Sequence, residues 1–323
     1  MAVTAPTRTE TLNTFFASTL PKFDRRVYDG VFRGHNVLKM VIDKWGLKSK
    51  GGSDVRFNFQ YQNDMTVTRM SSNTQTVDLQ DTDPILQAGD DWAYYTIGLQ
   101  IADTQMDDNA GEAEIFNLVK AKTDMARNAL QEYVEDDILA STQATNGINS
   151  LHASISTAPT TGTFERVDRA VYTAFQNISI NASSASATSV LLNHLRNGFY
   201  QASRAQGVDE PDFAVMSLTM YDLWGRFVDS RQFIIGDESD RVPKPMRFWG
   251  MEIKWNPNYA NNTSVIGGCS KYLETYISSD SRDNGKWQRP TNARVSTRIL
   301  HLRAQTIIKE PARFFHIHTL VAS

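Results

Sequence analysis

Few side chains in this 323-residue chain stand at spacings that do chemistry. The clearest set is His316-Ile317-His318. Residues two apart on a strand share a face, so both imidazoles could reach one metal ion. No third ligand lies nearby in sequence, and Phe314, Phe315 and Leu320 surround the pair, so two core histidines are the stronger reading. The pairs Asp81/Asp83, Asp90/Asp91, Asp107/Asp108 and Asp136/Asp137 offer oxygens to a hard cation. None has the spacing of a calcium loop, and helix capping or solvation explains them better. Cys269 is the only cysteine, which excludes an intrachain disulfide and a thiolate metal cage. It follows Gly267-Gly268, which read as the approach to a β-turn, and only Lys271 is near enough in sequence to activate it. A neutral small residue is therefore expected there, not a nucleophile. The chain has no G-x-S-x-G elbow, no phosphate loop, no G-x-G-x-x-G and no H-E-x-x-H. No catalytic residue, metal or cofactor is expected, and nothing in the sequence selects a lone catalytic carboxylate.

The composition narrows the partners. The net charge of −3 gives no basic footprint for gripping nucleic acid. The N-terminus MAVTAPTRTETLNTFF has no apolar core of a secretory signal, and no apolar run is long enough to span a membrane. The expectation is a soluble protein made in a reducing cytoplasm, with no membrane partner. At 41% hydrophobic residues the chain can bury a large core without staples.

With no chemistry to position, the elements themselves carry the information. The run from Asp107 to Ser141 has no Pro, and none of its residues from Glu112 on is Gly. Asp107, Asp108 and Asn109 suit a helix start. Ile115, Leu118, Val119, Met125, Ala126, Ala129, Leu130, Tyr133, Val134 and Ile138 recur at three- and four-residue steps. The spacing predicts one apolar face of a helix roughly 40–45 Å long. Upstream, Val55, Phe57, Phe59 and Tyr61 alternate with polar residues as in a half-buried strand. Tyr95, Ile97, Leu99 and Ile101 read as a matching strand, and the stretch from Asp64 to Asp91 between them is mostly polar. A structureless loop of that length is improbable, so a projecting two-stranded arm is expected. An isolated hairpin is marginal in water, so the arm needs something outside its own domain to lie on.

Before the first strand, residues 1 to about 20 read as a mobile arm, and Val37, Val41 and Trp45 as one side of a short helix. After the long helix, VDRAVYTAFQNI reads as a short amphipathic stretch. Residues 189–206 predict a helix with Leu191, Leu195, Phe199 and Ala202 on one face, stopped at Gly207. Phe213–Met216 reads as a buried strand, Ser217 as the cap of a helix, and the run from Phe248 to Trp255 as a strand ended by Asn256-Pro257. This alternation predicts a mixed α/β lobe over 189–280. Val295 to Leu320 holds two or three strands with a break at Pro311.

The order of these pieces resembles the major capsid protein of tailed bacteriophages, the Hong Kong 97-type shell fold. The stretches that carry it are VYDGVFRGHNVLKMV, TQMDDNAGEAEIFNLVKAKTDMARNALQEYVEDDIL, TNGINSL with TFERVDRAVYTAF, PDFAVMSLTMYDLW and FWGMEIKWNPN. The resemblance implies an α+β fold divided as follows: 1–50 an N-terminal arm with short helices, 51–105 the E-loop β-hairpin, 106–165 the P-domain with its spine helix, 166–293 the A-domain, and 294–323 closing strands. It implies self-assembly into hexamers and pentamers of an icosahedral shell that encloses double-stranded DNA without sequence-specific binding. A portal, and in some relatives a decoration protein, would be further partners. Because the arm begins almost at Met1, scaffolding by a separate protein is expected. The prototype cross-links through an E-loop lysine, whereas residues 64–91 contain none and Arg69 is their only cation, so that cross-link is not expected. Within the arm tip, Met65, Val67, Met70, Ile85 and Leu86 are the apolar residues expected to touch a neighbouring subunit, with Arg69 as a rim ion-pair partner. Two other readings stand beside this one: an encapsulin-like nanocompartment shell, and a soluble α/β enzyme.

Overall fold

The computed structural model describes residues 47–50, 52–61, 69–70, 84–108, 118–184, 186–232, 247–259, 263–278, 287–291 and 293–321. The expected N-terminal arm and the short helix around Val37–Trp45 lie outside them, as do Met65 and Val67. The chain divides into two units, one of Met1–Gly34, Thr96–Glu132 and Asp283–His301, the other of His35–Tyr95, Tyr133–Arg282 and Leu302–Ser323.

The larger unit is built on a six-stranded sheet. Its strands are β7 (Ile178–Asn181), β8 (Phe213–Met216), β9 (Arg247–Phe248), β10 (Met251–Trp255), β11 (Val265–Gly268) and β14 (Phe314–His318), in the order β7-β14-β11-β8-β10-β9. All four residues of β8 are buried, as expected for a central strand. Two helices pack against this sheet: α4 (Ala187–Ala202) and α5 (Leu218–Gln232). On α4, Leu191, Leu195, Phe199 and Ala202 are buried, the face that the sequence periodicity predicts. Burying each large side chain there contributes about 1.5–3 kcal/mol. The helix ends at Ala202, not at Gly207: the backbone turns extended at Ser203 (φ −73°, ψ 139°), whose N–H and hydroxyl both donate to Phe199 O (3.0 and 2.7 Å). Ser217 caps α5, its hydroxyl accepting from Met220 N at 3.3 Å.

One sequence expectation in this lobe is corrected. Phe248 to Trp255 is not one strand but two antiparallel ones, β9 and β10, joined by Trp249-Gly250 with φ of 48° and 86°. Gly267-Gly268 ends β11, a buried interior strand, and the turn expected beside Cys269 is the 3-10 turn at Ser270–Tyr272. Gly267 and Gly268 pair with Phe315 and Phe314 of β14, and a Cβ on either would overlap the facing ring. The glycines are there for packing.

A second sheet runs β1-β12-β13-β4, with β1 (Leu47–Lys50), β12 (Leu273–Ser278), β13 (Val295–Ile308) and β4 (Ala93–Ala102). The long helix is α2 (Leu118–Leu139), about 33 Å at its 22 residues. Ile115 and residues 109–117 lie outside the described structure, α1 (Asp103–Asp108) precedes them, and Ser141 lies beyond the helix end. Ala126, Val134 and Ile138 are buried on α2, but Met125 and Tyr133 are 54% and 62% exposed. The face that turns inward instead takes Glu135, 1% exposed, whose carboxylate accepts from Asn256 Nδ2 at 2.8 Å. Asn256 directly follows β10, so this bond ties the helix end to the lobe. Tyr95 does the same for β4, donating to Asp137 at 2.7 Å and accepting from Ile148 N at 2.8 Å.

The smaller unit contains the outer parts of β4 and β13 and the first part of α2. Lys122 of α2 bonds to Gln100 O at 3.2 Å and to Gln105 at 2.9 Å, while Asp103 forms an ion pair with Arg289.

Candidate functional site

The residues that could do chemistry are placed apart from one another or turned inward. His316 is 2% exposed, and its Nδ1–H donates to Ile155 O at 2.6 Å. His318 turns to the hydroxyl of Ser179 at 3.1 Å. His152, on the short helix α3 (Leu151–Ser154), lies with its ring 5.4 Å from that of His316. Burial lowers the pKa of His152 to about 4, and the neighbouring His316 adds to it. Burial also lowers His316 to about 4, partly opposed by its bond to Ile155 O. The Nε2 atoms of His152 and His316 have no hydrogen-bond partner among the described residues. These are neutral core imidazoles. Cys269 is buried, and desolvation raises its thiol pKa, the reverse of what a nucleophile needs. Among the described residues, no group of three or more His, Cys, Asp or Glu is placed to hold a metal ion.

The β-arm is the feature with geometry to interpret. Its first strand, β2 (Asp54–Gln60), shows the predicted alternation, with Val55 and Phe59 buried and Arg56, Asn58 and Gln60 exposed. Its partner is not the Tyr95–Ile101 strand. β2 pairs antiparallel with β3 (Ile85–Asp91), from Asp54↔Asp91 to Gln60↔Ile85. The Tyr95–Ile101 stretch is β4, which joins the other sheet. The polar stretch from Asp64 to Asp91 thus contains the returning strand, whose sequence ILQAGDD has no alternation to show it.

The arm root also has a support within its own chain, which the sequence reading missed. Residues opposite each other in an antiparallel pair share a face. One face carries Val55, Phe57 and Phe59 with Ala88 and Leu86. Val55 clusters with Trp92, Tyr276 and Ile307, Phe59 meets Phe175 edge-on at 5.0 Å, and Tyr61 meets Tyr172 at 5.0 Å. The segment that supplies Tyr172 and Phe175 was expected to be an amphipathic stretch. It is instead a small hairpin, β5 (Thr163–Phe164) and β6 (Val167–Asp168), followed by a 3-10 turn at Thr173–Phe175.

The tip of that small hairpin meets the arm. Glu165 and Arg166 form its two-residue turn, with φ of 50° and 64°. This left-handed geometry suits Asn-Gly, and costs other residues roughly 1–2 kcal/mol each. Glu165 is 3% exposed. Its carboxylate accepts from Ile308 N at 2.8 Å and its carbonyl from Gly89 N at 3.0 Å. Burial pushes its pKa well above the usual carboxylate range. Arg166 reaches the other face of the arm, donating to Asp54 at 2.7 Å and to Asp91 at 2.6 Å. Those bonds, and a second from Arg56, hold the Asp54 carboxyl below its ordinary value.

Of the residues expected to touch a neighbour, Ile85 and Leu86 lie at the distal end of β3, not in a loop, with Ile85 57% exposed and Leu86 half-buried. Leu86 shares the inward face with Phe59 and Ile85 the outward face with Gln60. Arg69 and Met70 are exposed. The sequence reading did not single out a further exposed aromatic group beside the sheet edge strand β9. There Trp249 (45% exposed) stacks on Phe248 at 4.9 Å and packs against Tyr200 (62% exposed) at 5.1 Å.

No family model matches the sequence, and no curated protein does. Solved structures do. The chain superposes on the capsid asymmetric unit of Cyanophage A-1(L) with a TM-score of 0.65 at 11% identity, over 93% of this chain and 96% of that one. This chain has the Hong Kong 97-type shell fold. The empty GTA particle capsid, described with C5 symmetry, shares the fold with a TM-score of 0.63 at 8% identity, over 96% and 98% of the two chains. So does the holo-SrpI encapsulin complex from Synechococcus elongatus PCC 7942, with a TM-score of 0.56 at 7% identity, over 91% and 94%. The likeness to these shells is nearly end to end, so the arm, the long helix and the lobe are all parts of one shared architecture.

Proposed function

We propose that this chain is the major capsid protein of a tailed bacteriophage, a structural subunit that closes with copies of itself into an icosahedral shell around double-stranded DNA. The observation that carries the reading is the shell fold matched along 93% of the chain to a cyanophage capsid subunit. In this reading residues 51–105 act as the E-loop, 106–165 as the P-domain, 166–293 as the A-domain and 294–323 as closing strands, with hexamers and pentamers as the capsomers. A net charge of −3 supports a wall that encloses DNA without gripping it. No catalysis belongs to this function. A separate scaffolding protein, a portal and, in some shells, a decoration protein complete the assembly. The arm tip, with Met65, Val67, Arg69, Met70, Ile85 and Leu86, is the surface offered to a neighbouring subunit; exposed Ile85 and Met70 support that role.

The encapsulin match supports a second reading, a nanocompartment shell around cargo enzymes. Electron microscopy of the purified protein tests both. Closed shells are expected, and a monodisperse non-assembling monomer would refute either. Nuclease-protected DNA inside particles from infected cells supports the capsid; protein cargo with no DNA supports the compartment.

A further inference from the structure

The root of the β-arm carries an arrangement that a passive hairpin does not need. Asp54 and Asp91 are direct cross-strand partners at its base. Two carboxylates facing each other in this way repel, which should splay the strands where the arm begins. Arg166 stands between them and donates one guanidinium N–H to each, at 2.7 and 2.6 Å, and Arg56, two residues along β2, also donates to Asp54, at 2.7 Å. It comes from a separate hairpin, 112 residues from Asp54 along the chain. The same two-residue turn also holds the arm through its backbone. Gly89 N donates to Glu165 O at 3.0 Å, and Gly89 has no room for a side chain, because a Cβ would overlap the carbonyl of Val55. Glu165 is anchored behind this by its bond to Ile308 N in β13. The turn holds both residues in a strained left-handed conformation although neither is Gly or Asn. The strain places one side chain inward as an anchor and the other outward as a bridge.

We propose that Glu165-Arg166 is a latch that clamps the root of the β-arm to its own subunit and sets the direction in which the arm projects. The inference rests on the shell reading for its purpose: an arm aimed correctly presents its tip, and only its tip, to a second copy. The Asp91 half of the bridge is open to solvent, since the Arg166 side chain is 44% exposed and that of Asp91 79%, while that of Asp54 is 12% exposed. Added salt therefore weakens it, and ionic strength becomes the natural means of releasing the arm.

Hydrogen exchange on the full-length chain reads the latch without requiring assembly. In Arg166→Gln, amides of residues 54–60 and 85–91 are expected to exchange at least tenfold faster, with amides of β8 and β11 unchanged. Salt at 1 M should produce the same pattern in the wild type, and in Arg166→Gln it should slow exchange in those strands instead, because it screens the repulsion left between Asp54 and Asp91. Adding Asp54→Asn and Asp91→Asn to Arg166→Gln should restore only part of the protection, because the repulsion is gone but the bridge is still missing. Unchanged exchange in Arg166→Gln, or full recovery of protection in the triple variant, would overturn the latch. Uniform loss of protection through β8 and β11 would overturn it also, showing a residue needed for the whole lobe. Micrographs of the wild type answer the separate question: absence of shells there would sink the capsid reading and leave the exchange result standing.

Discussion

The two buried imidazoles set a quantitative expectation for acid. His152 and His316 have pKa values lowered from 6.5 to about 4 by burial. Among the described residues no carboxylate faces them to accept a charge. His152 faces the Tyr259 ring and His316, and His316 faces His318 on its own strand and Ile155 O. A group whose folded pKa lies below its unfolded value binds its proton more readily when unfolded. Its contribution is complete above pH 6.5, is lost as pH falls from 6.5 to 4, and changes no further below that. At about 1.4 kcal/mol per pKa unit, each imidazole removes about 3 kcal/mol, and the pair about 6. That is a large share of the roughly 5–15 kcal/mol that holds a domain folded. The assay is urea denaturation followed by tryptophan fluorescence at pH 7.5, 6.5, 5.5 and 4.5, in the wild type and in His152→Phe. The phenyl ring keeps the contact with Tyr259 and cannot take a proton. The variant is expected to lose about 3 kcal/mol less than the wild type across that range, with a similar value at pH 7.5. Equal pH slopes in the two proteins would refute the reasoning.

Gly268→Ala should cost about 1–3 kcal/mol, read as a lower urea midpoint, since the added Cβ overlaps the Phe314 ring in a packed sheet. Glu165→Gln should raise stability at pH 7 and above and change little near pH 4, because a carboxyl with a raised folded pKa is favourable only while protonated; a loss at pH 8 would contradict this. Ala129→Pro, inside the long helix, should cost about 3 kcal/mol or more and leave little soluble protein. Replacing residues 64–83 by a Gly-Ser turn should leave a cooperative melt and native circular dichroism but no closed shells. Extending the replacement to residue 91 should unfold the arm root as well, because it removes β3, the strand with which β2 pairs.

The sequence determined the elements whose burial is set by one face. The α4 stripe of Leu191, Leu195 and Phe199 and the β2 alternation of Val55 and Phe59 were legible because period follows from local geometry and one side of each meets a core. It also showed the lack of catalytic spacing, and the order of pieces was enough to suggest a shell. It did not show that ILQAGDD is a strand, because that strand borrows its stability from β2 and from Glu165 O, not from a pattern of its own. Nor did it show that Gly267 and Gly268 make room for Phe315 and Phe314, which lie nearly fifty residues away along the chain and meet them only across the sheet. On the long helix, equal hydrophobicity hid which residues turn inward: Glu135 is buried by its bond to Asn256, while Met125 and Tyr133 stay exposed. The arm root is the clearest case. Arg166, Asp54 and Asp91 are ordinary charged residues in sequence, and only the tertiary fold brings one cation between two anions. Charge pairing depends on distance through space, which the order of residues along the chain does not record.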